Sequence, residues 1–168
     1  MGKKYFTVQE LCKSNLAKKL GIDNTPDEEQ EKNLEDLIDV CLDPIRIFFP
    51  GRITVYSGFR CPELNDAMKK SPNSPHLAGL ECDIRPTSGR EEDIQKIMNL
   101  AKQLNFDTLI LYRKFTNTNK VWFSYISISY NPTLCRRQVM ENVIVNPKLV
   151  LKRHLNDFAL KTYYLPPF

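Results

Sequence analysis

The sequence predicts an α+β domain in which helices pack on one small antiparallel sheet. Three observations predict it: helix starts marked by capping residues, apolar positions at helical spacing behind them, and β-rich runs that interleave with the helices and then follow them. Thr7 with Glu10, and Thr25 with Glu28, form T-x-x-E capping boxes, the second with Pro26 at a first helical position, where its missing N–H is not needed. Behind it Leu34, Leu37, Ile38, Cys41 and Leu42 recur at helical spacing, so a helix with one buried face should run from about residue 26 until Pro44 kinks or ends it. The run 53–56 reads as a strand. A short helix over 63–69 and a K-S-P-N-S-P loop lead into His76, and 80–84 reads as a second strand. Ser88 with Glu91 forms a third capping box ahead of Ile94, Ile97, Met98, Ala101 and Leu104. Two further β-rich runs cover 107–112 and 121–130. Asn146-Pro147 then introduces a helix with Leu151, Leu155 and Phe158 on one face, ahead of an extended Y-Y-L-P-P-F end. The organisation predicted is a domain over 1–145 and a C-terminal extension over 146–168, made of a docking helix and an extended tail.

Composition narrows the function classes. A chain of 168 residues is long enough to bury a core of its own. Its five cysteines, Cys12, Cys41, Cys61, Cys82 and Cys135, are scattered and show no C-x-x-C pair, which argues against a disulfide framework or a thiolate zinc site and for a reducing compartment. No apolar region follows the N-terminal lysines and no run approaches the ~20 residues of a membrane span, so the expectation is a soluble protein without a signal peptide and without a membrane partner. From Arg136 onward six basic residues face two acidic ones, which accounts for the whole net charge of +4. Basic residues beside Phe158, Tyr163, Tyr164 and Phe168 suit a protein contact better than nucleic acid, since no nucleic-acid motif or dense basic stripe accompanies them.

One stretch carries metal chemistry. A hydrolytic zinc ion takes three protein ligands, imidazole or carboxylate, and an open position. His76 at the end of a loop and Asp83 on the following strand are suitable donors, and Gly79 between them permits a tight return of the backbone. The other histidine, His154, falls in the C-terminal extension and is read as a helix-surface or core residue.

A colinear series of motifs adds to this reading: K-Y-F-T-V-Q-E-L, L-G-I-D-N-T-P, L-D-P-I-R, S-G-F-R-C-P-E-L-N, N-S-P-H-L-A-G-L-E-C-D-I-R, F-D-T-L-I-L-Y and Y-I-S-I-S-Y-N-P-T-L-C-R-R-Q-V, running from Lys4 to Val139. In this series the chain resembles the zinc D-alanyl-D-alanine carboxypeptidases and phage endolysin peptidases of the hedgehog-type fold. The resemblance implies that His76 and Asp83 are metal ligands and that Arg60 is a substrate contact, with Ser57 and Ser74 lining the site. It also implies a third histidine ligand where this chain has Ser127, and a catalytic carboxylate where it has Tyr112. A serine hydroxyl is a poor, neutral donor to zinc. A phenol of pKa ~10 does not take a proton from water near neutral pH.

The resemblance therefore implies a pseudoenzyme, metal-poor or metal-free, acting as a structural or binding component of a bacteriophage or prophage particle. It would be made in the bacterial host cytoplasm and contact phage structural proteins through Leu151, Leu155, Phe158, Tyr163, Tyr164 and Phe168. The alternative is an active zinc peptidase cleaving the peptidoglycan stem peptide with an unconventional site. Glu81 bears on that choice. It shares a strand face with Asp83 and stands where related sequences carry a small residue, so it either substitutes as a ligand or pairs with Arg60 or Arg85 and fills the space of an absent ion.

Overall fold

Two short helices open the chain. The computed structural model describes residues 4–116, 120–145 and 149–154, with Val145 and the last six described through their backbone. In α1 (Val8–Leu11) the Thr7 hydroxyl accepts from the Glu10 amide, as the capping pattern predicts, and in α2 (Asn15–Leu20) Ser14 accepts from Ala17 N. The third helix, α3 (Glu28–Leu37), departs from the T-x-x-E expectation. Its cap is Asp27, whose carboxylate accepts from Gln30 N while the Gln30 side chain accepts from Asp27 N; Thr25 bonds back to Asp23 instead. Acidic residues in that first turn, Glu28, Glu29 and Glu31, complement the positive end of the helix dipole.

Pro44 does not end the helix. Ile38–Leu42 widens into a π-helical turn and the chain continues as α4 (Asp43–Phe48), with Pro44 in its first turn. A proline ring clashes with the carbonyl four residues back in a regular helix, and the wider turn removes that clash together with the need for its N–H. The buried Asp43 carboxylate beside it accepts from Tyr5 N and Phe6 N, both at 3.1 Å, and so ties the N-terminal segment to this helix.

The strands β1 (Ile53–Ser57), β2 (Glu81–Pro86), β3 (Thr108–Phe115), β4 (Val121–Ser129), β5 (Gln138–Val145) and β6 (Leu149–His154) form one sheet in the order β1-β2-β4-β3-β5-β6. Between them lie α5 (Pro62–Ala67), a 3-10 turn over Pro75–Ala78, and α6 (Glu91–Ala101). The α+β class holds, and every neighbouring pair is antiparallel except β3 with β5, which run parallel. The reason is topological: β5 returns from the end where β4 stopped, so it opposes β4 and matches β3, which lies between them. The start of α6 also differs from expectation. Arg90 is its cap without a side-chain bond, and Ser88 donates to Asp93 at 2.6 Å.

Alternation along the strands gives the sheet two faces. Cys82 and Ile84 of β2, Ile126 and Ile128 of β4, and Leu109 and Leu111 of β3 turn to the helices, where Leu34, Leu37, Leu42, Ile45, Ile94, Ile97 and Met98 complete a core with almost no exposed surface. The opposite face carries Asp83, Ser127, Tyr125 and Tyr112. All five cysteines are free thiols, and burial pushes Cys41 up to about 12 and Cys12 up to about 11, which keeps both unreactive.

The C-terminal extension corrects the sequence reading. Where a docking helix with Leu151 on its face is expected, the backbone of Leu149–His154 is a strand, paired antiparallel with β5 from Val145 opposite Leu149 to Met140 opposite His154. The outer edge of β5 otherwise presents a row of unpaired backbone groups, and a sixth strand satisfies them. Leu155, Phe158, Tyr163, Tyr164 and Phe168 lie outside the described residues.

Asp107 starts the parallel pairing. Its amide donates to Ser129 O, its carbonyl accepts from Gln138 N, and its carboxylate takes Arg136 Nε and Nη2 as a fork, each at 2.7 Å. The hydrogen bonds from Arg136 hold this carboxyl below the usual range, so its contribution is fully present above pH ~4 and is lost as pH falls through the depressed value. Asp107→Asn should cost about 1–2 kcal/mol in urea unfolding at pH 7, modest because the Arg136 side chain is half exposed, and the gap to the parent should close as pH drops below ~4.

Candidate metal centre

The cleft rests on a glycine. Gly58 is buried against α1 so closely that a Cβ there would lie 2.0 Å from Leu11 O, and the next amide, Phe59 N, donates to that same carbonyl at 2.9 Å. Asn24 secures the loop from the other side, donating to Cys12 O and Phe59 O and accepting from Cys61 N. Thus fixed, the Gly58 carbonyl faces His76 Nδ1 at 2.7 Å. A carbonyl only accepts, so Nδ1 carries the hydrogen and Nε2 is the ring nitrogen that faces the cleft. The 3-10 turn bearing His76 ends at Gly79, with φ 72°, where a Cβ would meet Gln30 O at 2.6 Å.

β2 supplies the carboxylates. Glu81 and Asp83, two residues apart on one face, point at the imidazole: Nε2 is 3.5 Å from Asp83 Oδ1 and 3.8 Å from Glu81 Oε1. His76 is 3% exposed and each carboxylate residue 8%. Their donor atoms lie within 4.8 Å of one another. Ser127, directly across the β2–β4 pair from Asp83, donates its hydroxyl to Glu81 Oε1. Neither ion pair considered for Glu81 forms among the described residues: Arg60 bonds Ser57 Oγ, Ser74 Oγ and Asn65 Oδ1 at 2.8, 2.9 and 3.3 Å, and Arg85 lies over the Phe123 ring. Burial lowers the Arg60 guanidinium from its ordinary value, and the nearby Asp83 and Glu81 carboxylates oppose that shift.

His76, Glu81, Asp83, Arg60, Ser57 and Ser74 line a cleft of about 640 Å³. Its far wall is aromatic, and here the sequence reading missed residues. Tyr112 stacks on Tyr125 with ring centres 4.6 Å apart and planes 4° from parallel, and Tyr56 and Phe123 pack around Tyr125. A β-bulge between Val55 and Ser57 turns both Tyr56 and Ser57 into the cleft. The period-2 run Phe123, Tyr125, Ser127 carried the signal for this wall, since it shares a face with Tyr112. Burial pushes the Tyr112 phenol above its ordinary value. The Asn142 side chain pulls the other way, and the carboxylates of Glu81 and Asp83 add to the rise. Tyr125 is pushed up further, again chiefly by burial.

A sequence model of the Peptidase M15 family matches residues 4–118. The chain belongs to the peptidase M15 family. No curated protein matches it. The match spans the M15 elements from α1 through β3, so His76, Glu81, Asp83 and Tyr112 lie inside it while Ser127 lies beyond it. M15 peptidases are typically zinc-dependent, and the residues present fit that ion. Arms of about 2.0–2.2 Å at a tetrahedral angle hold two donors about 3.4 Å apart, close to the spacings from Nε2 to Asp83 and Glu81. Among the described residues no helix is long and apolar enough to cross a membrane.

Gly58→Ala should destabilise this M15 domain by about 3 kcal/mol, because backbone meets the new methyl and cannot yield cheaply. Urea unfolding measures the loss. The His76 ring resonances should shift in the same variant, since its Nδ1 acceptor moves.

Proposed function

We propose that this M15 domain is non-catalytic and serves as a structural or binding component, in a bacteriophage or prophage particle as its resemblance to phage peptidases implies. The observation that carries the reading is Tyr112. The side chain at the position of the family's base is a phenol stacked on Tyr125 and pushed by burial away from ionisation, so it does not accept a proton from water near neutral pH. The other two carboxylates near the imidazole, Glu81 and Asp83, are the side chains that would hold a metal, and this leaves the cleft without an independent base. The cleft remains open and lined by Arg60, Lys70 and Lys114, which suits an acidic or carboxylate-bearing peptide. The aromatic sequence beyond β6, with Phe158, Tyr163, Tyr164 and Phe168, supports contact with other proteins.

One observation favours a second reading, an active zinc peptidase of endolysin or D,D-carboxypeptidase type acting on the peptidoglycan stem peptide. It is the spacing of His76, Glu81 and Asp83. When bound, zinc would supply Lewis acidity in the cleft. Arg60 would then orient a substrate carboxylate, and Ser127 would hold Glu81 in place.

Incubated with peptidoglycan and one equivalent of zinc, the purified protein should release no stem-peptide products. Release that disappears in His76→Ala would overturn the non-catalytic reading in favour of the second. Returning both family side chains, Tyr112→Glu with Ser127→His, should raise release above the parent's blank, since a positioned base contributes about 10²–10⁴-fold.

A further inference from the structure

We propose that Glu81 of β2 is the third metal ligand of this cleft, and that Ser127 is the positioning residue that holds it. The proposal rests on the His76–Asp83 pairing described above and is independent of whether the domain cleaves anything. It moves one ligand sideways across the sheet. Ser127 stands opposite Asp83, and Glu81, diagonal to it on the neighbouring strand, extends its carboxylate toward the imidazole. The Ser127 hydroxyl donates to Oε1 and fixes the carboxylate's direction, the role that hydrogen-bonded partners of metal ligands play.

The imidazole gives the second, independent argument. With Nδ1–H committed to the Gly58 carbonyl, Nε2 of a 3% exposed ring looks at two carboxylates. The Asp83 carboxylate accepts no hydrogen bond from any described residue, and its oxygens look into the same small space. Two carboxylates converging with an imidazole nitrogen on one largely buried space are stabilised by a positive charge among them. Arg60 does not supply it directly, since its donors go to Ser57, Ser74 and Asn65. A divalent cation satisfies all three at once. One imidazole and two carboxylates, without a thiolate, suit a borderline or hard ion such as Zn²⁺ or Mn²⁺. Cys82, between the two carboxylates in sequence, faces the opposite, core side of β2.

Titration calorimetry of the metal-stripped full chain with Zn²⁺, and separately with Mn²⁺, tests the assignment, with native mass spectrometry for stoichiometry. One Zn²⁺ per chain is expected. Glu81→Gln, which keeps shape and loses charge, should weaken Zn²⁺ at least 100-fold and leave the metal-free melting temperature equal to or above the parent's, because a buried repulsion is removed. Ser127→Ala should keep a stoichiometry of one and weaken binding about 10- to 100-fold. A parent that binds no Zn²⁺, or a Glu81→Gln variant that binds like the parent, overturns the proposal. Should Glu81→Gln fail to fold, Ser127→Ala decides: unchanged affinity sinks the positioning role and the ligand it supports. Zinc bound without peptidoglycan hydrolysis leaves this proposal and the non-catalytic reading standing together. Zinc bound with hydrolysis keeps Glu81 and removes the non-catalytic reading, and no zinc with no hydrolysis does the reverse.

Discussion

The buried hydrogen bond from His76 Nδ1 to the Gly58 carbonyl, 2.7 Å long, is the joint on which the cleft depends. It joins two loops that come from different parts of the chain, and it sets which ring nitrogen faces the carboxylates. It exists only because the backbone at residue 58 lies against Leu11 O with no room for a side chain. The S-G-F-R motif is thus a packing requirement first. Gly58 lets the loop seat on α1, Asn24 pins it with three hydrogen bonds, and Arg60 then reaches back to Ser57 and across to Ser74. A site assembled in this way is preorganised by its scaffold, with its imidazole held in one orientation.

Much of this was legible in the sequence, for identifiable reasons. Strand and helix identity followed from periodicity because each element has one buried face: Leu34, Leu37 and Leu42 on the helix, Ile126 and Ile128 on β4. His76 and Asp83 were legible because a loop histidine followed by a strand carboxylate, with Gly79 between, is a spacing that brings two donors together. Other features depend on partners distant in sequence. Whether Thr25 or Asp27 caps α3 turns on which side chain finds a free amide, and the π-turn before Pro44 turns on how a proline is accommodated inside a helix whose buried face continues past it. The sixth strand was misread as a helix because Leu149–His154 takes its conformation from the open edge of β5, which local pattern does not reveal.

The partner of Glu81 was illegible for the same reason. Forty-six residues separate it from Ser127, and only the β2–β4 register makes them neighbours. Sequence reasoning offered Arg60 or Arg85 as a counter-charge because opposite charges are the obvious match. In the fold Arg60 is held by neutral acceptors and Arg85 by an aromatic face, so the Glu81 carboxylate is left to the hydroxyl and the imidazole.

That arrangement separates two properties that a zinc hydrolase combines. Binding a cation needs donors at the right spacing, and one imidazole with two carboxylates provides them. Turnover needs, in addition, a base that is not itself a ligand and is ionised near neutral pH. On the reading proposed above, Ser127 on β4 leaves Glu81 to join the cluster, and Tyr112 on β3 is a stacked phenol where the resemblance implies a carboxylate. The two changes act in opposite directions. The first would preserve the negative charge beside the imidazole and Asp83, and the second would remove the proton acceptor while covering the wall with aromatic surface. On the reading proposed above, such a cleft would keep the means to hold an ion and a peptide while lacking a group to activate water against that peptide.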